Sequence, residues 1–140
     1  MFVVVFTVEG QPHGKGRPRF RRGGNFVATY TDPKTKTYEQ TIKAWAQRAM
    51  GSQKPLNGPV SVDLYIRVGV PASFSKKRSD ACLRNIERPT KKPDIDNVIK
   101  SYLDAMNGII YVDDTQVIRV SAKKGYSSVP GVDVCVMGDL

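Results

Sequence analysis

Histidine, cysteine and acid are all scarce in this chain. His13 is the only histidine, and Cys82 and Cys135 are the only cysteines. Two cysteines make no zinc motif, and one possible pair makes no disulfide framework. Unpaired thiols fit a reducing cytoplasm. Long apolar runs are missing too. The opening MFVVVFTVEG lacks a basic leader and meets Glu9 too soon to span a membrane, so it reads as a strand. No repeat or low-complexity tract interrupts the 140 residues. That length suits one domain, residues 1–140, with a core of its own. Acid is outnumbered: 13 Asp and Glu face 22 Lys and Arg, a net charge of +9. Such an excess favours polyanionic partners, nucleic acid first and anionic membrane second.

What is present falls into alternating and helical patterns. Phe2 to Val8 is β-branched and aromatic, the mark of a largely buried strand. Residues 10–25 hold five glycines and two prolines, which argues against regular structure over most of that stretch. Phe26 to Tyr30 reads as a short strand pairing back in a hairpin. Asp32-Pro33 opens a helix, because Asp accepts a free N–H at the cap and Pro has none to lose at the first position. Tyr38, Ile42, Trp45, Ala46 and Ala49 form its apolar stripe, and Gly51 ends it. Val60 to Val68 alternates as a strand with one face in the core. Residues 71–93 form a long basic connection with a short helix between Ser75 and Ile86. A second main helix runs from about Asp96 to Asn107, and Gly108 stops it. Ile109 to Val112 reads as a short strand, and Val117–Lys123 and Val132–Met137 close the sheet around a turn region at 125–131. The expected architecture is α+β: a mixed sheet with two main helices on one face.

The acids are not scattered. Five of the 13, all Asp, lie between 94 and 114: Asp94, Asp96, Asp104, Asp113 and Asp114. If Asp94 and Asp96 lie in extended chain ahead of the helix, they project to the same side. The intervening helix and turn could return Asp113-Asp114 to them. Mg²⁺ prefers hard oxygen ligands, usually one or two carboxylates with water and substrate phosphate. Such an ion activates water and stabilises charge on an attacked phosphate, and two ions roughly 4 Å apart can serve both attacking and leaving oxygens. Lys100, one turn after Asp96, could neutralise the carboxylates or contact the phosphate. Each residue has a plainer alternative. Asp96 could be only a cap. Asp96 and Lys100 could be a surface pair worth ~0.3–0.5 kcal/mol. Asp113-Asp114 could be turn chemistry. Asp104, two turns past Asp96, reads as a solvated helix residue.

Two loops concentrate the positive charge. The first carries Lys15, Arg17, Arg19, Arg21 and Arg22; the second carries Lys76, Lys77, Arg78, Arg84, Arg88, Lys91 and Lys92. Together they hold 12 of the 22 cations, against only Asp80 and Glu87. Phosphate contacts of this kind give sequence-independent, salt-sensitive affinity; the alternative is a solvated face. Phe20 and Phe74 sit inside these runs. Each either stacks on a base at a branch point or pins its loop to the core. His13, between Pro12 and Gly14, reads as incidental.

The run KKPDIDNVIKSYLDAMNGIIYVDDTQV, residues 91–117, resembles the signature of RusA-type Holliday junction resolvases. In that family basic residues precede an Asp-x-Asp-Asn helix start, a Lys follows four residues after the second Asp, and an aromatic-hydrophobic-Asp-Asp-x-Gln segment comes next. The GKGRPRF and PASFSKK loops are similar to versions in bacterial and phage members. The resemblance implies a RusA-like fold and a homodimer that resolves a four-way junction by paired symmetric nicks. It implies Mg²⁺, with Mn²⁺ able to substitute, and no organic cofactor or membrane. It implies metal binding by Asp94, Asp96 and Asp114, with Asp113 as a neighbouring acid and Lys100 assisting catalysis. A cytoplasmic protein of bacterial or phage origin is expected. The competing readings are a basic junction- or single-strand-binding protein without catalysis, and a nuclease acting on other branched DNA.

Overall fold

A computed structural model describes residues 1–139. Strand β1, Phe2–Glu9, buries Val4, Phe6 and Val8 on one face. Helix α1, Pro33–Met50, starts as its sequence demands: the Asp32 carboxylate accepts the Thr35 N–H at 3.3 Å, and Pro33 takes the first position. Strand β4, Val60–Gly69, buries every second residue from Val60 to Val68, while Ser61, Asp63, Tyr65 and Arg67 face away. Helix α2, Lys76–Leu83, is capped by Ser75. Helix α3, Ile95–Met106, precedes a single 3-10 turn, Asp114–Gln116. Strands β5, Val117–Ser127, and β6, Gly131–Gly138, complete the main sheet.

The sheet order is β1-β6-β4-β5, with β4 and β5 parallel and the other pairs antiparallel. It is a mixed sheet, and three helices make the whole α+β. One core holds the inner faces of β1, β4 and β6 together with Ile42 and Ala46 of α1 and Val98, Tyr102 and Met106 of α3. Apolar burial on that side is what positions the two main helices. On β1 the outward residues Val3 and Val5 stay exposed.

One local expectation is refined and two need correction. Residues 10–25 are not wholly irregular: strand β2, Arg19–Gly23, pairs with β3, Phe26–Tyr30, in a separate two-stranded hairpin. The two-residue turn works because Gly24 takes a positive φ of 55°. Glycine content at the tip had hidden a strand between its glycines. Second, Ile109–Val112 forms no strand; Tyr111 makes only isolated bridges to Leu56 and Asn107. Third, α3 begins one residue early, so Asp94 is the cap residue and Asp96 is already helical. Asp94 and Asp96 therefore do not lie together in extended chain, and pleating gives them no shared side.

Candidate active site and nucleic-acid interface

The first turn of α3 is held from two directions. Lys124 of β5 donates its ammonium to the carbonyl oxygens of Lys91 at 2.8 Å and Pro93 at 3.0 Å, fixing the approach to the helix. From the other side, the Lys15 N–H donates to the Asn97 carbonyl at 3.0 Å. Gly14 lies so close that a Cβ there would stand 2.9 Å from the Asn97 Cβ, so this contact requires glycine. Between these supports is a cleft of about 290 Å³, lined by Gln11, His13, Gly14, Lys92, Asp94 and Asn97. Asp94 is exposed and accepts the Asn97 side-chain amide at 3.3 Å. Asp96 and Lys100 project from the same helix, both exposed.

The second pair of aspartates is held by a different device. Both Asp113 carboxylate oxygens serve the turn: one accepts the Asp114 N–H at 3.0 Å, the other the Thr115 hydroxyl at 2.8 Å. The Asp113 N–H donates to the Gln116 side-chain carbonyl at 2.9 Å. The Gln116 amide donates in turn to the carbonyls of Leu56 and Gly58, both at 2.8 Å. Gln116 thereby fastens the whole turn to the core-side segment before β4. Asp113 is occupied by turn chemistry, while the half-buried Asp114 carboxylate makes no such bond. Nearby, the buried Tyr111 donates its hydroxyl to the Leu103 carbonyl at 2.6 Å. Burial pushes its phenol up, and the charges of Asp114, Asp104 and Asp113 add to that. Asp114, Asp104 and Asp113 thus lie within electrostatic reach of the Tyr111 hydroxyl, which sits at the Leu103 carbonyl of α3, and Asp94 caps the start of the same helix.

Ion pairing separates the acids into two groups. Asp32, Glu39, Asp63, Asp80, Glu87, Asp104 and Asp133 each lie within 4.0 Å of a Lys or Arg nitrogen. Among the described residues Asp94, Asp96, Asp113 and Asp114 do not, and of the remaining acids only the exposed Glu9 and Asp139 share that state. In particular, Asp96 and Lys100 form no ion pair, although they are one turn apart. Among the described residues no three His, Cys, Asp or Glu side chains converge as a metal-holding group. The available donors are nonetheless hard carboxylate oxygens, and Mg²⁺ is commonly held by one or two of these with water and phosphate completing the shell.

The basic residues also divide. Lys15 is half-buried between Glu39 at 3.0 Å and Asp104 at 2.7 Å. Burial lowers its pKa, but the hydrogen bonds it donates to the two carboxylates, and their charge, more than offset this and leave it raised. Asp104 is thus a partner of Lys15 and not a solvated residue. Arg19 reaches Asp32 at 2.6 Å. Arg78 pairs with Glu87 at 3.0 Å and lies over the Phe74 ring, 3.6 Å from its centroid. Arg17, Arg21, Arg22, Lys76, Lys77, Lys91 and Lys92 are exposed and make no ion pair among the described residues. The two phenylalanines separate in the same way. Phe74 packs edge-on against Tyr126, whereas Phe20 is 71% exposed.

Four residues have roles that the sequence did not reveal. His13 lines the cleft and meets the Tyr38 ring edge-on. Tyr38 and Tyr102 share a 2.5 Å hydroxyl contact that ties α1 to α3 behind the site. Gln116 acts as the fastener just described. Its place in the Asp-Asp-x-Gln run marked it, but nothing in the sequence revealed Leu56 and Gly58 as its partners.

Residues 9–137 match the family described as endodeoxyribonuclease RusA. YqaN, an uncharacterised protein of Bacillus subtilis (strain 168), is 36% identical over 138 residues, covering 97% of this chain and 96% of its own.

Proposed function

We propose that this chain, which belongs to the RusA endodeoxyribonuclease family, cuts four-way DNA junctions by paired nicks in a Mg²⁺-dependent reaction. Membership makes it an enzyme that hydrolyses DNA internally, in a family of Holliday-junction-resolving endonucleases. The finer reading rests on one observation. In a protein of net charge +9, the acids outside 94–114 are mostly neutralised by a neighbouring cation, yet Asp94, Asp96, Asp113 and Asp114 have none. Carboxylates facing a DNA backbone repel it unless a cation stands between them. Four such aspartates in so basic a chain make sense if a divalent ion is what neutralises them.

Asp94, Asp96 and Asp114 are the residues we assign to hold that ion. Asp113 is assigned to shape the turn that presents Asp114. When bound, Mg²⁺ supplies Lewis acidity toward a phosphate oxygen and acidifies a water. Water and a DNA phosphate would complete the shell of an ion held by these carboxylates. Lys100, free of any acid partner, places its charge toward the reacting phosphate and steadies the developing oxyanion. Arg17, Arg21, Arg22, Lys76, Lys77, Lys91 and Lys92 hold the flanking backbone without reading sequence. A two-fold dimer presents one such site to each of the two equivalent strands of a junction. No described helix is long and apolar enough to cross a membrane.

The test is direct. Purified protein is incubated with a labelled four-way junction or its matched linear duplex, with and without Mg²⁺. Paired nicks in the junction alone, and only with Mg²⁺, are expected. Tight junction binding without cleavage in any divalent ion would replace this reading with a non-catalytic binding protein. Equal cutting of linear duplex would remove the junction specificity.

A further inference from the structure

The β2–β3 hairpin is an arm with no core. Nine of its ten strand residues are exposed, and the exposed set includes Phe20, Phe26, Val27 and Tyr30. A two-stranded hairpin standing alone is marginally stable in water. Exposed apolar side chains on one call for a partner.

That partner can be narrowed residue by residue. The Phe26 ring lies over Gly23, its cross-strand neighbour, where a Cβ would be 2.9 Å from the ring, so Phe26 serves the turn. Phe74, the other aromatic in a basic loop, is capped by Arg78 and packed on Tyr126. Phe20 has neither role. It pairs across the ladder with Thr29, shares a face with Arg22, and is 71% exposed. No acid occurs between Glu9 and Asp32, so the arm bearing it is purely cationic. Its root is fixed at the cleft. The Gly16 N–H donates to the Thr35 hydroxyl at 2.8 Å, Arg19 pairs with Asp32, and the preceding residues line the cleft with Asp94. A strand bound at Asp94 therefore lies beside the root of the arm.

We infer that Phe20 stacks on a nucleobase at the branch point of the bound junction. The inference rests on the junction-cutting reading and deepens it. A flat, apolar ring between arginines suits a base face flanked by phosphates. Paired duplex hides base faces in its stack, and a branch point is where they open. Phe20 thereby contributes to the choice of branched over linear DNA, while the arginines contribute to both equally.

The test uses the full chain, without divalent metal, and a four-way junction carrying 2-aminopurine at the branch or, as control, remote from it. Wild type is expected to change the fluorescence of the branch probe only. Phe20→Ala should lose that change and bind the junction roughly tenfold more weakly, the scale of one base–aromatic stack, with duplex affinity retained. Phe20→Trp should keep the change. A Phe20→Ala protein with the wild-type signal and affinity would overturn the inference. So would a Phe20→Ala protein whose altered property is its sedimentation, because the arm would then dock on a second copy. If wild type itself failed to prefer the junction over duplex, the junction reading would fall, and this inference with it.

Discussion

The carboxylate region is built on the core, whereas the β2–β3 arm is built on nothing but itself. Helix α3 buries Val98, Tyr102, Ala105 and Met106 completely, and Gln116 ties the Asp113–Asp114 turn to the backbone of Leu56 and Gly58. The arm, by contrast, is joined to the body mainly at its root, through Arg19–Asp32 and the residues before it. The difference matches the demands of each task. Phosphodiester chemistry needs oxygens held to fractions of an ångström, which only packed elements supply. A branched backbone varies in shape, and a coreless cationic arm can follow it.

Substitutions can break this contrast, beginning with the largest effect. Ile110→Ala, at a fully buried site beneath the aspartate turn, is expected to lower stability by about 2–5 kcal/mol in denaturant unfolding. Val27→Ala on the arm should move it by less than about 0.5 kcal/mol. Comparable losses would mean that the arm belongs to the cooperative fold. Gln116→Ala removes the side-chain partner of the Gly58 carbonyl and of the Asp113 N–H, while Leu56 still accepts the Val112 N–H, and should cost about 1–3 kcal/mol. It should also slow cleavage while junction affinity is retained; an unaltered rate would detach the turn from the chemistry. Arg21→Ala combined with Arg22→Ala should flatten the salt dependence of DNA binding, reducing the log–log slope by about 2. An unchanged slope would put the DNA elsewhere. The smallest effect is in acid. Burial pushes the Asp133 carboxyl up, but hydrogen bonds from Arg67 and Thr7 more than offset this and hold it below its ordinary 3.8. Its contribution is therefore present above that value and lost as pH falls through the lowered one. Asp133→Asn should flatten the acid limb of stability below pH 3.8; an unchanged limb would discount this pair.

Periodicity made the scaffold readable. The alternation of Val60 to Val68 and the stripe through Ile42 and Ala46 each report a single buried face, and burial is local information repeated along the chain. The Asp32-Pro33 helix start is equally local, since the cap bond spans three residues. Strand β2 was hidden because its five residues are exposed or nearly so and no buried face marks them. The carboxylates were visible as a cluster in sequence, but their circumstances were not. That Asp113 would be committed to its own turn, and that Asp104 would pair with Lys15 from 89 positions away, depend on the tertiary arrangement. Likewise Phe20 and Phe74 look alike as aromatics in basic loops, and only packing separates them.

The central claim is that aspartates left without cations supply the chemistry, while the basic loops supply the grip. Asp96→Asn, nearly isosteric and on an exposed helical turn, separates the two. Cleavage of a four-way junction in Mg²⁺ and affinity for the same junction without metal are measured side by side. The expected result is cutting reduced by more than about a hundredfold, beyond what loss of an outer-shell partner costs, with affinity equal to or slightly above wild type. Wild-type cutting by Asp96→Asn would contradict the claim.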